Sequence, residues 1–113
     1  MNERRCKMVK GDEFCIAFTN VKFPCVEDDG YQLSETDGLE FSIGRKGREA
    51  IIKKRYPNGI EKEAEGEYVV YLSAKETELL PCLVYQMRLT VDFDNTGDKV
   101  YTIVNRVLEV VAK

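Results

Sequence analysis

From Leu83 to Phe93 the chain alternates: Leu83, Tyr85, Met87, Leu89, Val91 and Phe93 are apolar on one face, and Val84, Gln86, Arg88, Thr90 and Asp92 stand between them. A period of two puts one face in a core and the other toward solvent, which is a strand. What stands just before it narrows the fold further. Ser73 with Glu76 three residues on is a capping-box pattern that opens a helix. Pro81 lacks an amide hydrogen and pushes Leu80 out of the helical region, so it closes that helix after about two turns. A helix of that length, about 73–80, is too short to form a layer. It reads as a crossover between strands, with Leu79 or Leu80 placed to plug one end of the core.

Other strands follow from the same pattern. Glu67–Leu72 is β-branched and aromatic, Phe14, Ile16 and Phe18 alternate after a turn at Lys10–Asp12, and Leu39, Phe41 and Ile43 alternate again. Ala50–Tyr56 reads as a strand, and Asn58-Gly59 behind it is the strongest tight-hairpin dipeptide present. Asp94-Asn-Thr-Gly-Asp98 is an acidic turn, and Lys99–Val104 returns from it as a strand. Asn105-Arg106 then breaks the alternation before Val107–Val111 resumes it, so a bulge or bend is expected there. Pro24, Gly30 and the acidic Glu27-Asp-Asp29 make the stretch before Leu39 irregular. No linker, repeat or low-complexity tract divides residues 1–113. The expectation is an all-β single domain, an Ig-like antiparallel β-sandwich of about seven strands with one short helix.

Composition limits the function classes. A chain of 113 residues with 43% apolar and 33% charged residues can bury one core and is not of disordered type. Its formal charge of −3 argues against a whole-domain nucleic-acid clamp, which needs a basic footprint. No apolar run is long enough for a membrane span, and the basic start Met1–Lys7 runs on to Gly11-Asp-Glu13 rather than an apolar segment. Synthesis in a cytoplasm is therefore expected, with no membrane partner. The chain has no histidine, which removes the commonest general base and every His-dependent triad. No catalytic, cofactor-binding or metal-ligating residue is nominated.

Four groupings carry competing readings. Cys6, Cys15, Cys25 and Cys82 are widely spaced without a CxxC pair, so reduced thiols acting as small hydrophobes are expected rather than a zinc site. Cys15 and Cys82 are separated like the inter-sheet cysteines of immunoglobulin domains, but Cys15 is out of phase with Phe14, Ile16 and Phe18 and should point outward. Asp92, Asp94, Gly97 and Asp98 resemble a calcium loop, yet Thr96 replaces a stronger ligand and Ile103 stands where a bidentate Glu belongs. An acidic hairpin tip is the expected reading. Arg45, Lys46, Arg48, Lys53, Lys54 and Arg55 form a basic cluster that could hold phosphate, but folding about Asn58-Gly59 would set Lys54 opposite Glu63, within the acidic run Glu61, Glu63, Glu65 and Glu67. A charge-laced hairpin and no nucleic-acid partner are expected. Tyr31, Tyr56, Tyr68, Tyr71, Tyr85 and Tyr101 could stack on sugar rings, although strand tyrosines more commonly cover a core or an interface.

One likeness spans nearly the whole chain. Lys10-Gly-Asp-Glu-Phe14, then Tyr31-Gln-Leu33 before Leu39–Ile43, then Gly66–Leu72 running into Ser73-Ala-Lys-Glu-Thr-Glu-Leu-Leu-Pro81 and Tyr85-Gln-Met-Arg-Leu89, resembles the immunoglobulin-like domains of tailed-phage baseplate and tail-fibre adaptor proteins. The resemblance implies a non-enzymatic phage or prophage virion component, an adaptor or assembly module whose partners are other virion or tail proteins, with a homo-oligomer possible. It also implies residence in the virion after cytoplasmic synthesis. The alternatives are a carbohydrate- or cell-surface-binding module and a small partner-binding regulatory or immunity-type protein. Fold alone does not separate them.

Overall fold

A computed structural model gives the structure and describes residues 5–19, 21, 37–64, 66–93, 97 and 100–113. The alternating segment forms β7 (Val84–Asp92), with Tyr85, Met87, Leu89 and Val91 all buried. The other strands are β1 (Arg5–Val9), β2 (Phe14–Phe18), β3 (Gly38–Gly44), β4 (Ile52–Arg55), β5 (Ile60–Ala64), β6 (Glu67–Leu72) and β8 (Val100–Val111). They make a five-stranded sheet, β1-β8-β7-β3-β4, and a three-stranded sheet, β2-β6-β5. This is a two-sheet β-sandwich in the immunoglobulin arrangement: β3, β7 and β8 stand as strands C, F and G, extended by β4 as C′, opposite β2, β6 and β5 as B, E and D.

The core lies between the sheets. Leu39, Phe41 and Ile43 of β3 and Leu108 and Val110 of β8 join the inward side chains of β7. Ile16, Phe18, Ile60, Tyr68, Val70 and Leu72 face them from the smaller sheet. Phe18 and Phe41 meet across the gap with ring centroids 5.9 Å apart. Burial pushes the Tyr68 hydroxyl up to about 12, and Tyr56 adds to the shift. An unfolded tyrosine ionises near its ordinary value of 10.0, so the unfolded chain gains negative charge first as pH rises. The contribution of neutral Tyr68 is thus complete below pH 10.0 and is lost as the pH climbs to about 12. Urea midpoints should fall across that window, and fall less in Tyr68→Phe.

The crossover from β6 to β7 carries α1 (Ala74–Glu78), with the expected capping box. Ser73 N–H donates to Glu76 Oε1 at 3.0 Å, and Glu76 N–H donates to Ser73 Oγ at 3.2 Å. Burial favours the protonated Glu76 carboxyl, but the bonds from Lys54 and Ser73 outweigh it and hold the group below the usual carboxylate range. Leu80 is the plug, fully buried, while Leu79 is exposed. The Tyr85 hydroxyl then donates to the Pro81 carbonyl at 2.7 Å. That bond is a tyrosine corner, placed at the start of strand F as in immunoglobulin domains. Two residues on, where antibody domains carry the second cysteine, stands buried Met87.

The structure corrects several sequence expectations. Among the described residues the strands number eight, in keeping with the expected sandwich, but β1 runs parallel to β8, pairing Cys6 with Leu108 and Met8 with Val110, so the sandwich is not wholly antiparallel. β8 is continuous through Asn105 and Arg106. Its bulge falls earlier, because Leu89 pairs with Val104 but Thr90 with Thr102, leaving Ile103 as the extra residue. Arg106 lies opposite inward-facing Met87, and its guanidinium sits 5.4 Å from the Phe18 ring centroid. A charged residue in the inward phase is what hid the alternation. Asn58-Gly59 closes no hairpin either: β4 pairs with β3 in one sheet and β5 with β6 in the other, so this segment crosses between sheets.

Candidate functional site

The outer face of the five-stranded sheet is built by residues that alternate with the core positions. On β3 and β7 these are Glu40, Ser42, Gln86 and Arg88, and Ser42 pairs with Lys53 of β4 on one side and Arg88 of β7 on the other. Lys53, Ser42 and Arg88 therefore form one row across three strands, with the two cations about 10 Å apart by strand spacing. The turn joining β3 to β4 adds Arg45, Lys46 and Arg48 at the end of this row, and Arg48 N–H donates to the Arg45 carbonyl at 3.0 Å. Gly44 is required at the start of that turn, since a Cβ there would lie 2.9 Å from the Ala50 backbone.

Small residues make the floor and cations the rim. Ser42, Gly44 and Ala50 underlie a concavity of about 170 Å³ bordered by Arg45, Arg48, Lys53, Arg88, Gln86 and Glu40. A second one of about 340 Å³ continues past Arg45, Arg48 and Gln86 to Val84 and Val107. Arg88 donates to Gln86 Oε1 at 2.6 Å, which fixes its guanidinium over the sheet. Among the described residues Arg45, Lys46, Arg48 and Lys53 enter no ion pair. The arrangement can receive carboxylate or phosphate oxygens.

The basic cluster thus divides. Lys54 turns toward α1 and pairs with Glu76. Arg55 stands opposite Glu40 in register. The remaining cations are not neutralised by the acidic run, because exposed Glu61 and Glu63 sit on β5 in the other sheet. The cross-strand pairing of Lys54 with Glu63 is overturned. Arg88, a polar outward residue of a well-marked strand, was absent from the sequence cluster; only its registry with Ser42 and Lys53 brings it there.

Other candidate groups separate in space. Both Asp92 carboxylate oxygens accept from Gly97 N–H, at 3.1 and 3.0 Å, so that side chain closes the turn. Asp94 and Asp98 lie outside the described residues, as do Cys25, Glu65, Tyr31 and the acidic stretch 27–29. Among the described residues no group of Cys, Asp and Glu side chains could hold a metal ion. Cys6 packs against the core, whereas Cys15 and Cys82 are exposed and free, so the thiols do not all behave as buried small hydrophobes. Cys15 points outward as its phase required.

The tyrosines form no platform among the described residues. Tyr56 meets buried Tyr68 edge to face at 6.1 Å, Tyr101 packs on Phe93 at 5.8 Å, and Tyr85 is buried. Of the described tyrosines Tyr71 is the exposed one, beside Cys15, and that thiol together with burial, Glu61 and Glu63 raises its pKa. Among the described residues no helix is long and apolar enough to cross a membrane. No protein-family model and no curated protein matches this chain.

Proposed function

We propose that this chain is a non-enzymatic adaptor, an assembly module of a phage or prophage tail or baseplate, which docks an acidic surface of a neighbouring virion protein on the outer face of its five-stranded sheet. The observation that supports the reading is charge placement. A protein of net charge −3 concentrates Arg45, Lys46, Arg48, Lys53 and Arg88 around two adjoining depressions whose lining carries one carboxylate, Glu40, while Glu61, Glu63 and Glu67 lie on the opposite sheet. Such separation steers encounter and fixes orientation between protein partners. Exposed aromatic rings on which single-stranded nucleic acid would stack are missing from these two concavities, whose one aromatic, Tyr85, is buried. The depressions are open, suited to a protein surface more than to a sequestered small molecule.

Two measurements test this. Mass spectrometry of purified particles from an induced lysate should recover the chain in stoichiometric amount; its absence from intact particles sinks the virion assignment. The double reversal Arg48→Glu with Lys53→Glu should slow association with an acidic probe, labelled polyglutamate, on the order of tenfold or more at low salt. The parent's binding should weaken as salt is raised, because exposed charges are screened. Equal binding by parent and variant would remove the basic face from the docking role.

A further inference from the structure

Each sheet ends in two edge strands, and three of these four edges carry the devices that keep edges from pairing. β1 has Arg5 and Lys7 in a short run. β4 is only 4 residues long, carries Lys53 and Arg55, and is followed by Pro57. β5 has exposed Glu61 and Glu63 and an irregularity between Lys62 and Ala64. β2, Phe14-Cys-Ile-Ala-Phe18, has no charge, no proline, no glycine and no bulge. It pairs with β6 on one side, and among the described residues no strand pairs with its other side.

We infer that the edge of β2 with which no described strand pairs is a self-association edge, and that it pairs antiparallel with β2 of a second copy about a two-fold axis through Ile16. The sequence of the strand is symmetric in the sense this pairing requires. In that register Phe14 lies opposite Phe18 of the second copy on the inner face, Ile16 opposite its own counterpart, and Cys15 opposite Ala17 on the outer face. The large side chains fall on the side where each copy already has a core, and the small ones fall on the exposed side. Phe14 is only half-buried in the single chain while Ile16 and Phe18 are buried, so its ring still has surface to lose. A two-fold contact is self-complementary and closes at two copies, joining the two three-stranded sheets into one continuous sheet. The added pairing supplies about four to six backbone hydrogen bonds, depending on which residues present their N–H groups to that edge. This edge lies on the sheet opposite the basic face, so the pairing neither depends on that docking reading nor blocks it.

The register makes the test specific. Opposed residues of an antiparallel pair have Cα atoms about 4.5–5.5 Å apart, within the range a disulfide spans, whereas Cys15 and its own counterpart are diagonal and too far apart. Ala17→Cys should therefore give a disulfide-linked dimer on a non-reducing gel after addition of the thiol oxidant diamide, with peptide mass spectrometry placing the bond between Cys15 and the introduced thiol. The parent should give no link through Cys15, and adding Cys15→Ser to Ala17→Cys should abolish the dimer. Sedimentation velocity of the parent should show dimer growing with concentration, and Ala17→Lys should lose it while keeping its circular dichroism spectrum. A parent that stays monomeric with a folded, uncrosslinked Ala17→Cys variant overturns the proposal. So does a dimer linked through any other pair of thiols, since a different occupant or register would then hold the edge.

Discussion

Phe41→Ala is expected to destabilise the domain by about 3–5 kcal/mol, the range for removing a large aromatic side chain from a packed core. Phe41 is fully buried at the centre of β3, between β4 and β7 in its own sheet and against Phe18 of the opposite one. Its ring is where the two sheets meet. Removing it forfeits the transfer of the ring from water and leaves a cavity that flanking strands, fixed by their ladders on both sides, cannot collapse to fill. For a domain near this size each kcal/mol lowers the melting temperature by about 4–8 °C, so a fall of about 12–40 °C should appear by calorimetry. Phe41→Leu, which keeps most of the volume, should cost much less, below about 1.5–2 kcal/mol. A small loss in both variants would show that the sheets do not pack against each other at this point.

The central strands were legible because their signal is local and redundant. β3 and β7 are adjacent, each flanked on both sides, so every inward residue from Leu39 to Ile43 and from Tyr85 to Val91 had to be apolar and the period of two shows through. The capping box and Pro81 are also local, and α1 lies between them. β1 was not legible: with Lys7 exposed and only Cys6 and Met8 inward, its run is too short to show a period, and its parallel partner lies at the far end of the chain. The failure at Asn58-Gly59 has a different cause. That dipeptide encodes a change of direction, but whether the strands on either side share a sheet is decided by which core face Ile52 and Ile60 join, and that is a tertiary choice. The same error neutralised the basic cluster on paper. Its cations were visible in the sequence, while the removal of Glu63 to the other sheet and the arrival of Arg88 required the strand register.

Thr77→Val is expected to cost about 2–6 kcal/mol, the sum of roughly 1–3 kcal/mol for each of two groups left without a partner, Gly11 N–H and the Asp12 carbonyl. Thr77 is fully buried on α1, and its hydroxyl joins two parts of the chain distant in sequence. Oγ1 accepts from Gly11 N–H at 3.0 Å, and its single proton is shared between the Asp12 carbonyl at 2.9 Å and the Ala74 carbonyl at 3.0 Å. Gly11 and Asp12 form the turn by which the chain leaves β1 in the larger sheet for β2 in the smaller one. Gly11 has φ of 86°, and a Cβ there would lie 2.6 Å from Glu78 Oε1, so the turn is pressed against the helix. Thr77 is thus the polar tie between the crossover at one end of the chain and the crossover before β7. Valine has the same shape, similar helix propensity and greater apolarity, so a packing account of position 77 predicts no loss or a gain. The hydrogen-bond account predicts the opposite order, with Thr77→Ser, which keeps the hydroxyl and drops a methyl, costing only about 1 kcal/mol. Hydrogen exchange at Gly11 N–H distinguishes the mechanism as well as the magnitude: protection should collapse at that amide in the valine variant and survive in the serine variant. A valine variant as stable as the parent, with Gly11 still protected, would mean that water takes over both bonds and that the turn is held by packing against the helix alone.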